Sequence, residues 1–286
     1  MLYPSLYPGN LATSTTLDVP TDNLVYLQPP PAFIPQLKAG VSLNYGGTQF
    51  GEYQDLGDGR SAIIHDCSLD PVADDAQSVY IAKGGFTTPY TKFGRGNYSV
   101  TSAINEARTS LELQRLGIRT QNTIAVYKHG EDNATSIIRR SCPFRIGTFE
   151  YVYRHNPQDI DKLWHSLSVY YPVCQNRLES FRQIVLDYAA LQKQWEDVGF
   201  VHGCLNTDNM SAIPEAIDFG HSQFSFNDQA TSSIDPYGRY SRKNQDFAIL
   251  SGLNIFRKCL IKNLDNYTAE DLYADYISVK PISPKS

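Results

Sequence analysis

Hydrophobic and polar positions change period partway along the chain. From residue 45 to 100 apolar runs are short and glycine is dense. Ser61-Ala62-Ile63-Ile64 and Ser78-Val79-Tyr80-Ile81-Ala82 predict strands, and the polar stretch from Asp66 to Gln77 between them reads as turn. Ile104, Ala107, Leu111 and Leu116 then recur at helical spacing. They predict a helix from Ser102, taken as its cap, to Leu116, with Gly117 as its stop. Ile124-Ala125-Val126-Tyr127 and Ser136-Ile137-Ile138 predict a hairpin turning at His129 to Asn133. Beyond about residue 150 the pattern is helical. Phe181, Ile184, Val185, Tyr188, Leu191 and Trp195 form one stripe on a helix from Arg177 to Asp197, and a last helix is expected from Gln245 to Leu260.

Residues 1–40 are rich in proline and tyrosine and include the run Pro29-Pro30-Pro31. Proline cannot donate to a ladder, so this segment is expected to be an extended arm. The division that follows is a proline-rich arm (1–40), a strand-rich part (41–150) and a helical part (151–286). That order suggests an α+β protein of two lobes with a cleft between them.

Composition narrows the classes. The 286 residues carry 25 Lys and Arg against 30 Asp and Glu, a formal charge of −5, which disfavours a general nucleic-acid binder. No apolar run approaches the about 18 residues of a membrane helix. Met1 to Asn10 has no basic stretch ahead of an apolar one, so no secretory signal is expected. The five cysteines are scattered, odd in number and free of CxxC spacing, which fits a reducing compartment and excludes a disulfide scaffold or zinc ribbon. A cytoplasmic location is the default, with delivery into a host cell as the alternative.

The chemistry lies in an ordered set of residues. Lys83 ends a predicted strand and Glu106 lies on the predicted helix. A strand lysine held by a helix glutamate is how protein kinases place an ammonium over nucleotide phosphates; a lone pair of this kind is more often a surface salt bridge of little value. His202 and Asn209 share the His-to-Asn spacing of a kinase catalytic loop, and Asp218-Phe219-Gly220 follows. Asn209 and Asp218 are hard oxygen donors of the kind Mg²⁺ takes beside phosphate oxygens. The usual catalytic aspartate position holds Cys204, and Asp208 is the substitute in the same loop. Cys204 itself reads as filler rather than nucleophile. Gly57-Asp58-Gly59-Arg60 would let backbone N–H groups approach phosphate; the plain alternative is a tight turn. Gly94-Arg95-Gly96 makes a second flexible stretch. Arg139, Arg140 and Arg145 would grip terminal phosphates or form a solvated face.

At these residues the sequence resembles the selenoprotein O family of kinase-fold proteins. The matching stretches are Tyr45 to Gly51 (YGGTQFG), Leu56 to Arg60 (LGDGR), Lys83-Gly84-Gly85 with Thr88 to Gly94, Arg145 to Glu150 (RIGTFE), Gly199 to Gly203 with Asn206 to Ser211 (NTDNMS), and Ile217 to Gly220. The resemblance implies a bilobal protein-kinase-like fold that binds ATP flipped relative to kinases. It implies transfer of AMP to Ser, Thr or Tyr hydroxyls of proteins, auto-modification included, with Mg²⁺ or Mn²⁺ as cofactor and neither nucleic acid nor membrane as partner. By motif, Asp208 would accept the proton, Asn209 and Asp218 would hold the metal, and Lys83, paired with Glu106, would contact phosphates. Gly57, Gly59, Arg60, Arg95 and Gly96 would line the nucleotide site, and Arg145 with Arg139 or Arg140 would hold the far phosphates.

Some positions depart from the family. Thr87 stands where an arginine is usual, Arg95 replaces an aspartate, and Asn97 and Thr101 replace basic residues. Ser232 to Asp235 occupy the stretch where a cysteine is expected after Asp218-Phe219-Gly220, so no disulfide switch is carried over. Two other readings stay open: a phosphotransferase using ATP in the usual orientation, and a non-catalytic nucleotide-binding pseudokinase scaffold.

Overall fold

Among the described residues nine strands form, several from β-branched and aromatic runs: β1 (Ala12–Thr16), β2 (Leu24–Leu27), β3 (Ala39–Leu43), β4 (Gly46–Gln49), β5 (Glu52–Asp55), β6 (Ser61–Asp66), β7 (Val79–Lys83), β8 (Asn122–His129) and β9 (Asn133–Arg140). Seven of them make one antiparallel sheet in the order β1-β3-β6-β7-β9-β8-β2, and β4 and β5 pair as a separate hairpin. The computed structural model describes residues 11–17, 24–27, 39–49, 51–66, 78–91, 96–171, 176–228, 239–260 and 266–282.

The central strand β7 is buried along its whole length. Its residues alternate between two packed clusters: Val79 and Ile81 join the large core, Tyr80 and Ala82 a smaller one. Lys83 continues the Val79–Ile81 face, and its register partners are Ser61 and Ser136.

Parts of the segment expected to be an extended arm pair with the sheet as strands. β1 zips onto β3 over five residue pairs and β2 pairs with β8, so each closes one edge of the sheet. Threonine, leucine, valine and tyrosine in these two stretches suit a pleated strand, whatever the prolines nearby do. The run Pro29-Pro30-Pro31 lies outside the described residues, as does most of the expected turn before Ser78.

Helices follow their caps. α1 (Val100–Arg115) starts two residues before Ser102, because the Ser99 side chain accepts the Ser102 N–H at 3.1 Å. Ser102 donates to the cap and is not itself the cap. Gly117, at φ 72°, ends the helix as expected. α4 (Arg177–Asp197) occupies the predicted span and is capped by Asn176. α5 (Arg242–Cys259) begins earlier than expected, since Ser241 caps it. α2 (Ile146–His155), α3 (Ile160–Leu167) and α6 (Ala269–Val279) complete the set. The protein is thus α+β: strands and one helix to Arg140, helices from Ile146 onward.

The large core has an aromatic centre. Phe149 of α2 meets Phe256 of α5 at 4.7 Å between ring centroids, and Phe181 of α4 meets Phe256 edge-on at 5.6 Å. Among the described residues Cys142, Cys204 and Cys259 are free thiols, and no helix is long and apolar enough to cross a membrane.

α6 is fastened by a buried charge. Lys280 Nζ lies 2.6 Å from Asp246 of α5 and 2.7 Å from Glu196 of α4, and Tyr276 Oη donates to Asp246 at 3.1 Å. Removing only the cation leaves Asp246, fully buried, without its ammonium. Lys280→Met is therefore expected to lower unfolding free energy by about 3–5 kcal/mol. Lys280→Met with Asp246→Leu should recover part of that loss; equilibrium urea unfolding of both variants measures it.

Candidate active site

Lys83 closes β7 just where α1 passes it. Its Nζ lies 2.9 Å from both carboxylate oxygens of Glu106 and 2.8 Å from Oδ1 of Asp218. The strand lysine, the helix glutamate and the aspartate of the Asp-Phe-Gly triplet therefore share one ammonium. Tyr98 completes the setting: its hydroxyl donates to Glu106 Oε2 and its ring lies 5.1 Å from Lys83 Nζ. Burial and the Glu106 charge push the Tyr98 hydroxyl far above its ordinary value, so it stays a donor.

Asp218 is held by two further cations. Arg140 Nη2 lies 3.2 Å from Oδ1, and Arg145 Nη1 donates to Oδ2. Burial alone would raise the carboxyl pKa, but Arg145, Lys83 and Arg140 outweigh it and hold Asp218 well below the usual aspartate range. Its backbone takes φ 58°, the sole positive φ outside glycine among the described residues. That conformation costs an aspartate roughly 1 kcal/mol or more and is stabilised by what surrounds it. One stabilising contact is Gln121, fully buried, whose Oε1 accepts the Asp218 N–H at 3.3 Å and Arg140 Nε at 3.0 Å. Gln121 Nε2 donates to Glu106 Oε1 at 2.7 Å. A single amide thus joins Glu106, Arg140 and the strained backbone.

The remaining parts are positioned by three of the quoted motif stretches meeting at Glu150. Glu150 of α2 accepts the Thr48 hydroxyl from β4 and the Thr207 hydroxyl at 2.8 Å, and Thr48 N–H donates to Thr207 Oγ1 at 2.9 Å. This docks β4 on the 3-10 turn Thr207–Asn209, which carries Asp208. Gly47 faces that carboxyl so closely that a Cβ there would stand 2.8 Å from Asp208 Oδ1. Arg145, at the head of α2, also donates to the Asp208 carbonyl, and Ile146 N–H donates to Met210 O at 2.9 Å. Its guanidinium lies 4.7 Å from the Tyr45 ring centroid and 3.9 Å from Asp58.

A cavity of about 370 Å³ opens between these elements, and Lys83, Arg145, Asp208, Asn209 and Asp218 all line it. Gly59 and Arg60 line it too, with Arg60 Nη1 donating to the Asn97 carbonyl at 2.9 Å. Cys204 also faces it. Burial and the nearby Asp208 raise its thiol pKa, so it stays protonated, as a filler would. Buried His202 is structural: Nε2 donates to Ile217 O at 2.6 Å, and burial lowers its pKa.

Other expected site residues lie elsewhere. Gly57, at φ 101°, packs against Tyr90, where a Cβ would come within 2.8 Å. Gly96 sits on the Phe86 carbonyl, and a Cβ there would come within 1.8 Å. Both are needed for chain packing rather than for lining the cavity. Arg95 lies outside the described residues. Of the two adjacent arginines, Arg140 reaches Asp218, and both line a second pocket. Tyr98, Gln121, Gly47 and Tyr45 are site residues that spacing alone did not single out.

The donor set suits a hard divalent cation. Asn209 Nδ2 donates to the Cys204 carbonyl at 3.1 Å, and Oδ1 accepts no hydrogen bond among the described residues. That oxygen and the Asp218 carboxylate line one cavity, a ligand pair that fits Mg²⁺, which takes one or two protein oxygens beside phosphate and water.

A family model described as protein adenylyltransferase SelO matches residues 31–279. Three similar curated relatives are each named protein nucleotidyltransferase YdiU. The one from Hahella chejuensis is 30% identical over 263 residues, covering 82% of this chain and 52% of the relative. That from Gloeobacter violaceus is 35% identical over 227 residues, covering 72% and 46%. That from Pelagibacter ubique is 32% identical over 246 residues, covering 80% and 50%. The chain spans about half the length of the curated relatives it matches.

Two outcomes test this geometry. Gln121→Leu removes the acceptor of Arg140 Nε and Asp218 N–H and the donor to Glu106. It should cost about 2–4 kcal/mol in urea unfolding, more than an ordinary buried side-chain swap of similar volume. The second concerns acid. The unfolded chain binds a proton near the ordinary aspartate value of 3.8, whereas folded Asp218 does not until lower pH. Its contribution to stability is complete above that value and is lost as pH falls through the folded pKa. Burial raises the carboxyl pKa of Asp58 and Glu215, so their protonation in the fold acts in the opposite sense at higher pH. The unfolding midpoint should therefore drop more steeply below about pH 4 in the wild type than in Asp218→Asn. Parallel slopes would contradict the assignment.

Proposed function

The chain belongs to the SelO family, and from that premise we propose that it is an ATP-dependent protein adenylyltransferase acting on Ser, Thr or Tyr hydroxyls. The observation that carries the reading is the convergence of Lys83, Arg140 and Arg145 on Asp218, beside Asp208 and Asn209 in one cavity. The fold is then kinase-like and bilobal, with the sheet and α1 in one lobe and the helices from α2 onward in the other, and ATP lies flipped between them.

In this reading the acceptor hydroxyl attacks the α-phosphorus, the bond from that phosphorus to the bridging oxygen breaks, and pyrophosphate leaves with the electron pair. Asp208 orients the hydroxyl and takes its proton. Lys83, fixed by Glu106 and Tyr98, and Arg145 meet the negative charge that grows on the leaving group. Arg60 lies along the same wall and adds a cation near the polyphosphate. Asn209 and Asp218 would hold Mg²⁺, or Mn²⁺ in its place, and that ion would supply charge neutralisation of the phosphates. Carrying a polyphosphate requires an exchange of partners, since Lys83 and Arg145 cannot serve both Asp218 and phosphate at full strength.

ATP labelled at the α or the γ position separates the readings. Label transferred to protein from the α position alone is expected; label from γ alone would make the chain a phosphotransferase, and neither with ATP bound would make it a scaffold. Asp208→Ala should keep nucleotide affinity within about twofold and slow transfer by about 10²–10⁴. Asp218→Ala should abolish metal-dependent nucleotide binding, measured by titration calorimetry.

A further inference from the structure

Helix α5 carries two stripes. Ile249, Leu253 and Phe256 are buried in the large core. Phe247, Ser251, Ile255 and Lys258, three or four residues apart, form a separate stripe that lines an open cavity of about 900 Å³. α2 contributes Tyr153 and Arg154 to the same cavity. Asn206 and Thr207, the residues directly before Asp208, line it too. Asp208 and Asn209 line the nucleotide cavity, so a single turn of chain separates the two spaces.

The stripe is apolar at one end and basic at the other. Phe247 is 70% exposed, the most exposed large hydrophobic side chain among the described residues. A lone aromatic on a surface is ordinary, but this one shares a cavity with Ile255 and the half-exposed Tyr153. Glu150 is the one acid among the described residues that line the cavity, and it is committed. It accepts the Thr48 and Thr207 hydroxyls and lies 3.7 Å from Arg154. Arg257 also lines the cavity, and it donates only to uncharged groups, the Asn254 side chain at 3.0 Å and the Tyr267 carbonyl at 2.9 Å. Lys258 is exposed and makes no ion pair among the described residues. Three cations, Arg154, Arg257 and Lys258, thus face one carboxylate, a local positive charge in a chain of formal charge −5. From Phe247 to Lys258 the helix advances about 16 Å, the length of about five residues of extended chain.

We propose that this cavity docks the acceptor protein through a short segment with one large apolar side chain, set against Phe247 and Ile255, and an acidic residue, set against Arg257 and Lys258. The proposal rests on the adenylyltransferase reading, in which the acceptor hydroxyl reaches Asp208. The segment is then held on the Thr207 side of the turn while Asp208 acts from the other. Contacts so far from the reacting atoms bind ground state and transition state alike, so they set the KM for the acceptor rather than kcat.

Peptide selection tests it. The full chain is applied, without ATP, to immobilised peptides that have a central serine or tyrosine and one other position fixed at a time. Wild type should favour Glu or Asp at one position and Leu, Phe or Met at another. Lys258→Glu should turn the acidic preference into a basic one. Phe247→Ala should weaken binding of the apolar peptides about tenfold, the loss of one interface anchor. Both side chains are exposed, and urea midpoints and ATP affinity should match wild type. No selection in wild type, or the same selection in both variants, would overturn the proposal. So would a wild-type dimer in sedimentation equilibrium that Phe247→Ala dissolves, which assigns the groove to a second copy. The selected peptides are then given ATP labelled at the α position. Selection without label keeps the groove as a peptide site and removes the adenylylation reading; label without selection does the reverse.

Discussion

A buried carboxylate surrounded by cations sets the terms for this protein. The Asp218 side chain is only 14% exposed, and removing a carboxylate from solvent costs several kcal/mol unless it is paired and hydrogen-bonded. Three cations meet it: Lys83 from the end of β7, Arg140 from the end of β9 and Arg145 from the head of α2. Each comes from a different element, so the sheet and the helical part must be in register with each other for the charge to be compensated. The left-handed backbone of Asp218 is tolerable for the same reason, since Gln121 accepts its N–H.

The same requirement propagates outward. Lys83 is itself held by Glu106, and Glu106 by Tyr98 and Gln121, so the position of α1 is tied to the charge balance at Asp218. On the other side Glu150 gathers Thr48 and Thr207, which seats β4 against the turn bearing Asp208. Gly47 is then a matter of clearance: any side chain would press on the Asp208 carboxyl. Motif stretches far apart in sequence are thus neighbours because they satisfy two buried carboxylates, Glu106 and Glu150.

Much of this was legible in the sequence, and the illegible parts share a cause. Strand and helix periodicity located β6 to β9, α1, α4 and α5, and ordered residue types located Lys83, Glu106, Asp208, Asn209 and Asp218. Those signals are local or depend on order along the chain. Gln121 and Tyr98 were missed because a glutamine and a tyrosine acquire meaning only from long-range partners. Arg139 and Arg140 were indistinguishable because adjacent strand residues point to opposite faces, and which face meets Asp218 depends on register. The cap of α1 was misplaced because Ser99 and Ser102 are both good caps, and only backbone geometry separates them. Gly57 and Gly96 resembled phosphate-approach glycines, but glycine also answers tight packing, here against Tyr90 and the Phe86 carbonyl. Within the proline-rich segment, composition outweighed two short strand-forming stretches, β1 and β2.

Charge arithmetic explains why this cluster is more than a structural staple. Lys280, Asp246 and Glu196 form a buried group elsewhere in the chain, and their role ends in fastening α6. Around Asp218 the cations Lys83, Arg140 and Arg145 face Glu106 and Asp218, while Asp58 is pushed toward its neutral form by burial. A staple needs balance alone, and two cations would supply it for Glu106 and Asp218. Additional cations that share one carboxylate, beside a cavity lined by Asp208, Asn209 and Arg60, can be given up to a polyanion without stranding that carboxylate in the fold, provided a hard cation takes their place. The arrangement therefore has the properties of a compensated site with exchangeable partners, which is what binding a metal-bound polyphosphate demands of it.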